Sequence, residues 1–291
     1  MESLSHTPPA VDLREFRALF IAPHLDDVAH ACGGIVARTV ATGAPSLIVT
    51  VFAGEPHQDR RLSAFARFQH ERWGTADKTT LVRRQEDARA AATLGAASLW
   101  LPHLDAIYRG DQYLSDEDLF GPVKPDDVDL IPCIAEDLIA LWRQTREASV
   151  YLPLGVGNHV DHQICHAAGP LLEASGVTVW YYEEFPYAAT PGAVAARLAV
   201  LDRPLASLLV DVTTHLDRRL AAMAAYSTQL PVVFRHYGPF EEITRRYAAE
   251  LASAPDRYAE RLWRSPVSTP SVSMVEGDRV LLHLPRTGGE T

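Results

Sequence analysis

Ser46 to Ala53 (S-L-I-V-T-V-F-A) is a continuous apolar run rich in β-branched residues, and it constrains the fold of this 291-residue chain more than any other segment. With no polar alternation it has no face suited to water, so it reads as a strand covered on both sides, as in a parallel sheet flanked by helices. Upstream, Phe16 to Ala22 also reads as a strand. Between the two, Asp27 to Thr42 carries Val28, Ala31, Cys32, Ile35 and Val36 at helical spacing and stops at Gly43, so the chain opens as a βαβ unit. The alternation continues with a helix over Leu81 to Leu94, a short strand over Ser98 to Leu101, a helix over Asp127 to Gln144 and a strand over Ala148 to Leu154. It closes with a helix over His162 to Ala174, despite Gly169-Pro170, and a strand over Val177 to Tyr182. This order predicts an α/β, Rossmann-like fold: a mostly parallel, twisted, doubly wound sheet with helices on both faces.

Two segments interrupt the rhythm. Glu55 to Thr80 is too long for an ordinary connection and is expected to form a lid or pocket wall, and Asp105 to Pro125 reads as irregular. Beyond Glu184 the pattern changes to a strand over Ser207 to Val212, helices over His215 to Tyr226 and Phe240 to Ser253, and a terminal hairpin over Ser271 to Leu284. No Gly/Ser linker intervenes. The expected organisation is therefore a catalytic core over 14–190 with an α+β extension over 191–291 packed on the same domain. Gly33-Gly34 inside the first helix costs about 1 kcal/mol per residue relative to alanine, which points to close backbone packing.

The balance of 27 basic against 37 acidic residues, a formal charge of −10, opposes a phosphate-tracking surface, so a small molecule is the expected partner and nucleic acid is not. Three cysteines without Cys-x-x-Cys spacing indicate neither a disulfide framework nor a zinc knuckle. No apolar run reaches the eighteen or so residues of a membrane span, and Met1 to Leu13 lacks a signal-peptide pattern, so a cytoplasmic location is expected. Gly155-Val156-Gly157 lacks the third glycine of a dinucleotide fingerprint.

Chemistry concentrates at two strand ends. Ala22-Pro23-His24-Leu25-Asp26-Asp27 follows the first strand, and Gly157-Asn158-His159-Val160-Asp161-His162 follows the strand over Ala148 to Leu154. Ligands of open α/β sheets bind beyond the carboxyl ends of the strands, so the two clusters can converge. His24 and Asp27, three residues apart across a tight turn, can hold one ion, with His162 as third ligand and Asp26 left free as general base. Two histidines and an aspartate with an open fourth position form a catalytic zinc pattern, in which a water pKa falls to about 7. The competing reading, that Asp26 and Asp27 merely cap a helix for about 0.3–1 kcal/mol, leaves the histidines unexplained.

Pro23-His24-Leu25-Asp26-Asp27 and His159-Val160-Asp161-His162 resemble the two signature motifs of the PIG-L/LmbE family of zinc-dependent N-acetyl sugar deacetylases, over roughly the first 190 residues. The resemblance implies that His24, Asp27 and His162 bind zinc or another divalent metal, that Asp26 is the base, and that His159 stabilises the oxyanion or protonates the leaving amine. Asp161 would support the site residues from behind by hydrogen bonding. Arg83-Arg84-Gln85-Glu86 and Leu104-Asp105-Ala106-Ile107-Tyr108-Arg109 resemble the family's sugar-binding segments, which implies Arg83 and Asp105 as substrate contacts. An Arg83–Glu86 ion pair on one helix face is the alternative for Arg83. Tyr182 to Tyr187 also resembles the family, without an assigned role.

The chain departs from the family pattern at Leu25 and Val160, where proline is usual, at Val28, where an acidic residue often follows, and at Gly157, where mycothiol-pathway members carry tyrosine. The implied activity is removal of acetate from an N-acetylated, GlcNAc-like amino sugar or a small molecule containing one, as by an N-acetylglucosaminyl deacetylase. Two alternatives stay open: an amidase of a larger sugar-amide conjugate, and a non-catalytic sugar-binding protein with a degenerate site. His30 and His166 are expected at the surface or as satisfied core residues, His103 and His236 are possible pocket residues, and Phe65, Phe68 and Trp73 are expected in local core.

Overall fold

The computed structural model describes residues 12–57, 61–75 and 78–266, together with the backbone of 282–283. In chain order the elements are β1 (Ala18–Ala22), α1 (Asp27–Ala41), β2 (Ser46–Thr50), α2 (Ala64–Trp73), α3 (Thr79–Leu94), β3 (Ala97–Trp100), α4 (Asp116–Leu119) and α5 (Leu130–Trp142). There follow β4 (Ser149–Pro153), α6 (Val160–Ala174), β5 (Val179–Tyr182), α7 (Ala193–Ala199) and β6 (Ala206–Asp211). The chain continues through α8 (Leu216–Met223), α9 (Leu230–Val233), α10 (Phe240–Ala252), β7 (Ala259–Arg264) and β8 (Leu282–His283).

The strands form one sheet in the order β3-β2-β1-β4-β5-β7-β6-β8. The pairings from β3 to β5 are parallel and those from β5 to β8 antiparallel. This is the α/β, largely parallel arrangement anticipated from the apolar runs. Side-chain alternation gives every central strand two buried faces. Leu19, Ile21, Leu47, Val49, Val150 and Leu152 join a core with α5 and α6, while Ala18, Phe20 and Ile48 join a core with α1 and α3 on the other side. That double cover is why Ser46 to Ala53 shows no polar alternation.

Strand order reverses between β1 and β4, which are adjacent in the sheet with Ala18 beside Ser149 and Phe20 beside Tyr151. A crevice therefore opens beyond their carboxyl ends. The long interruption after β2 contains α2, and the stretch over Asp105 to Pro125 contains a 3-10 turn at Ala106–Tyr108 and α4. Three elements had no clear sequence signal: α7, the four-residue α9, and β7, which slots between β5 and β6. Of the expected hairpin over Ser271 to Leu284, all but Leu282–His283 lies outside the described residues, and those two pair antiparallel with β6.

The segment after β5 is bound to the first half of the chain by buried carboxylates. Helix α1 departs from helical geometry at Cys32 (φ −138, ψ 27), and the amides of Gly34 and Ile35 donate to Glu260 of β7 at 2.9 and 2.8 Å. A Cβ at Gly34 would lie 2.4 Å from Glu260 Oε1, so the Gly-Gly pair serves this close approach. Glu86 of α3 accepts from Ser227 and Thr228, and Glu183 accepts from Tyr247, Arg261 and Trp263. No helix among the described residues is long and apolar enough to cross a membrane.

His166 sits in the core, its ring centroid 4.8 Å from that of Tyr181, with Nδ1 donating to the Pro153 carbonyl at 3.1 Å. Burial, aided by Arg197, pushes its pKa down to about 3. In the unfolded chain it titrates near 6.5, so between those values the unfolded state holds the extra proton and stability falls with falling pH. His166→Gln should flatten the loss of stability between pH 6.5 and 4 by up to about 1.4 kcal/mol per pH unit, read from urea unfolding across that range. An unaltered pH slope would contradict this origin.

Candidate active site

At the end of β1 the chain turns through Pro23 to Asp26 before entering α1. The carboxylate of Asp27 accepts the His24 backbone N–H at 2.7 Å, which folds the turn onto itself. Asp26 occupies the N-cap position, yet its side chain makes no capping bond, so the carboxylate is left for the crevice. Capping therefore does not account for Asp26.

At the end of β4, Gly155, Gly157 and Asn158 adopt positive φ and turn the chain into α6. A Cβ at Gly157 would strike the Tyr187 ring at 2.6 Å, so glycine there leaves room for the aromatic wall. His159 is the N-cap of α6 and accepts the Asp161 amide on Nδ1 at 3.2 Å. That bond fixes its proton on Nε2.

The same logic assigns the other imidazoles. His24 Nε2 lies 2.8 Å from Asp161 Oδ2; an ionised carboxylate only accepts, so Nε2 donates to Asp161 and Nδ1 is the nitrogen that faces Asp27. His162 Nδ1 lies 3.3 Å from Glu184 Oε1, which leaves Nε2 to face Asp27. These two nitrogens face one oxygen, Asp27 Oδ2, which is 3.4 Å from His24 Nδ1 and 3.3 Å from His162 Nε2; the surrounding carboxylates raise the pKa of both rings, so an ion bound here would displace their protons. Donors around a tetrahedral ion with bonds of about 2.0–2.1 Å are roughly 3.3 Å apart, so Asp27 stands from each imidazole at the spacing of two donors to a zinc-sized ion. The three imidazoles of His24, His159 and His162 also offer nitrogens within 4.8 Å of one another. A second possible donor group, His24, Asp105 and Asp161, uses the protonated edge of His24, and there Asp161 is engaged by Arg109 at 2.7 Å. We read that group as the support behind His24.

Electrostatics differentiate the residues. Burial would raise the Asp161 carboxyl, but Arg109 and His24 outweigh it and hold the group far below its usual range. Burial opposes protonation of His162, yet Asp27 and Glu184 push its pKa up to about 9. Burial and the neighbouring His24 drive His159 well below the ordinary histidine value. Asp26 moves upward because of burial and Asp27, only partly countered by His30, Arg83 and His24.

His24, Asp26, Asp27, His159 and His162 line the floor of a cavity of about 480 Å³, and Asp161 lies buried behind it. Arg83 lies 3.9 Å from Asp26 and 3.8 Å from Asp105, with its guanidinium 4.8 Å from the Trp73 ring. Glu86 points instead to Ser227 and Thr228, so the helix-face ion pair is not formed, and Arg84 turns away to the Ala53 carbonyl. Trp73, Tyr187 and His236 line the cavity, whereas His103 is tied to Asp137 at 2.8 Å outside it. His30 is buried in the cavity wall between Tyr226 and Phe234.

Sequence reasoning missed Glu184 and Arg109. Glu184, at the end of β5, accepts from the amides of Gly155 and Val156 as well as facing His162. An acidic pair at a third strand end was the available signal. Arg109 lay within a quoted segment, but nothing local indicated that it would cross to Asp161.

Buried imidazoles and carboxylates thus line a polar crevice at the switch point of a Rossmann-like sheet. The PIG-L family, described as GlcNAc-PI de-N-acetylase, matches residues 19–172, and the chain belongs to that family of N-deacetylases. The chain is 32% identical over 231 residues to a 2'-N-acetylparomamine deacetylase from Streptomyces fradiae, covering 75% of each. Among solved structures it resembles the A40926 pseudoaglycone deacetylase at 29% identity and TM-score 0.71, covering 86% of this chain and 96% of that one. It also resembles the zinc-inhibited form of teicoplanin deacetylase at 26% identity and TM-score 0.72, covering 85% and 97%.

The Glu184 contact is testable without ligand. In the metal-free protein the His162 imidazole should titrate near pH 9 by NMR. Glu184→Gln should move that value down toward 6.5, and no movement would contradict the hydrogen bond assigned to Nδ1.

Proposed function

We propose that the protein hydrolyses the acetamide of an N-acetylated amino sugar within a small glycosylated molecule, giving a free amine and acetate. The observation that carries this reading is the Asp27 oxygen facing His24 Nδ1 and His162 Nε2 at 3.4 and 3.3 Å, with the Asp26 carboxylate, which makes no capping bond, nearby. The names of the relatives support the substrate class, since they describe deacetylases of paromamine, teicoplanin and the A40926 pseudoaglycone.

His24, Asp27 and His162 would hold zinc or a similar divalent ion. Such an ion, when bound, supplies a Lewis acid and eases the deprotonation of water. Asp26 accepts the proton of the attacking water on its carboxylate, and its raised pKa suits a base that must later give the proton up. His159, with its proton on Nε2, donates toward the oxygen of the tetrahedral intermediate, and its neutral state keeps that donor in place. Asp161 orients His24, while Arg109 and the Ala106 amide hold Asp161. Arg83 and Asp105 are the proposed contacts for sugar hydroxyls. In this reading 14–190 carries these residues, and 191–291 supplies one wall of the cavity through Val232, Val233 and His236.

Asp26→Asn should leave the fold and metal content unchanged and lower kcat by at least about 10³-fold, as measured by acetate release from an N-acetylated aminoglycoside. His162→Ala should instead lose bound metal, as measured by elemental analysis. Full activity of a chelator-stripped protein, or of Asp26→Asn, would overturn the scheme.

A further inference from the structure

Beyond β5 the chain contributes one buried amide side chain to the cavity. Gln229, in the turn between α8 and α9, lines the cavity together with Asp26, Arg83 and Asp105, yet is only 2% exposed. Its backbone carbonyl accepts from the amides of Val232 and Val233, both at 2.9 Å, and so begins α9. Tyr226, whose carbonyl accepts the Gln229 amide at 3.1 Å, sets its ring edge-on to His30 with centroids 5.4 Å apart. His30 Nδ1 in turn is 3.9 Å from Asp26 Oδ2. The turn that carries Gln229 is thereby packed beside the proposed base.

A chain of hydrogen bonds fixes which end of the amide meets the cavity. Glu86 of α3 accepts from the Thr228 backbone N–H at 2.9 Å and from the Thr228 hydroxyl at 2.6 Å. A hydroxyl has one hydrogen, and this one is spent on Glu86, so Thr228 Oγ1 can only accept from Gln229. The Gln229 atom 2.9 Å from it is therefore the amide nitrogen, and the carbonyl oxygen is the free end. Oε1 accepts no hydrogen bond among the described residues, and it is not one of the unpaired polar atoms sealed inside the fold. It is thus open to the cavity that the residue lines. A carbonyl held this way is preorganised to accept from a bound molecule, and a ligand without a donor there would strand it unpaired.

We propose that Gln229 Oε1 is a specificity contact, accepting a hydrogen bond from a hydroxyl of the acetylated sugar or from an ammonium group beside it, and that Glu86 positions it through Thr228. The inference rests on the deacetylase reading for the identity of the ligand as an N-acetylated sugar. Residue 229 lies outside the stretch 19–172 that matches the family, so this acceptor comes from the extension, whereas the reacting groups come from the core. Hydroxyls and ammonium groups are the donors that an N-acetylated aminoglycoside carries, and one carbonyl oxygen suits both.

The test measures acetate release by the full-length protein from the ethyl glycoside of N-acetylglucosamine, its 3-, 4- and 6-deoxy analogues, and the 2-aminoethyl glycoside. Calorimetric titration of the corresponding free amines reads binding without turnover. For a hydroxyl donor, one deoxy analogue should be about tenfold poorer than the ethyl glycoside in kcat/KM and affinity, and that ratio should fall to about one in Gln229→Leu. For an ammonium donor, the aminoethyl glycoside should be about tenfold better than the ethyl glycoside, with the same collapse of the ratio. Thr228→Val, which releases the amide, should collapse the same ratio, and Thr228→Ser, which keeps the hydroxyl, should preserve it. A merely structural role would lower all compounds alike and leave every ratio unchanged. That result, or no effect of Gln229→Leu, would overturn the contact, and continued acetate release would leave the deacetylase reading standing. If no compound is deacetylated but the amines show the ratio and its collapse, the contact stands and the deacetylase reading fails. Binding of none of them would overturn both.

Discussion

Ala18, Leu19 and Phe20 of β1 lie in parallel register with Ser149, Val150 and Tyr151 of β4, and the position of the site depends on that ladder. Nearly 130 residues separate the two strands in sequence, yet their carboxyl ends emerge side by side because the sheet reverses its strand order between them. The turn after β1 delivers His24, Asp26 and Asp27, and the turn after β4 delivers His159, Asp161 and His162. A slip of one residue in this pairing would exchange the two buried faces of β1 and carry its polar turn away from α6. The two apolar cores oppose such a slip, since each face is filled by different helices.

The second recurring device is the buried carboxylate. Asp161, Glu184, Glu183, Glu86 and Glu260 each accept several hydrogen bonds from segments distant in sequence. Desolvating such groups is expensive, and a buried ion pair is weak evidence for stability. What these groups contribute here is geometry. Asp161 and Glu184 engage one nitrogen each of His24 and His162, so the other nitrogens converge on Asp27. Glu86 and Glu260 bind the segment after β5 to the first half of the chain, and Glu183 ties that segment together, which brings the wall around Val232 and Val233 to the crevice.

Much of this was legible in the residues. The helix over Asp27–Ala41 and the strand over Ser46–Thr50 follow from periodicity and β-branched runs, because burial on two faces forces that pattern. The two His/Asp clusters were legible because they sit at strand ends, where the fold collects ligands. By contrast, β7 (A-E-R-L-W-R) mixes charge with aromatic residues, since Glu260 and Arg261 are neutralised by partners that only the folded chain supplies. Glu86 was misread as a possible partner of Arg83 for the same reason: its true partners, Ser227 and Thr228, are about 140 residues away.

The sequence by itself determined the α/β class, the family resemblance and the residue types gathered at each strand end, because periodicity and motif spacing are local properties of the chain. Tertiary structure alone decided which nitrogens of His24 and His162 face Asp27, and that Asp26 does not cap its helix. Those outcomes are set by hydrogen bonds and charges between segments far apart in the chain. Such contacts leave no local pattern, and they exist only once the sheet order has brought their partners together.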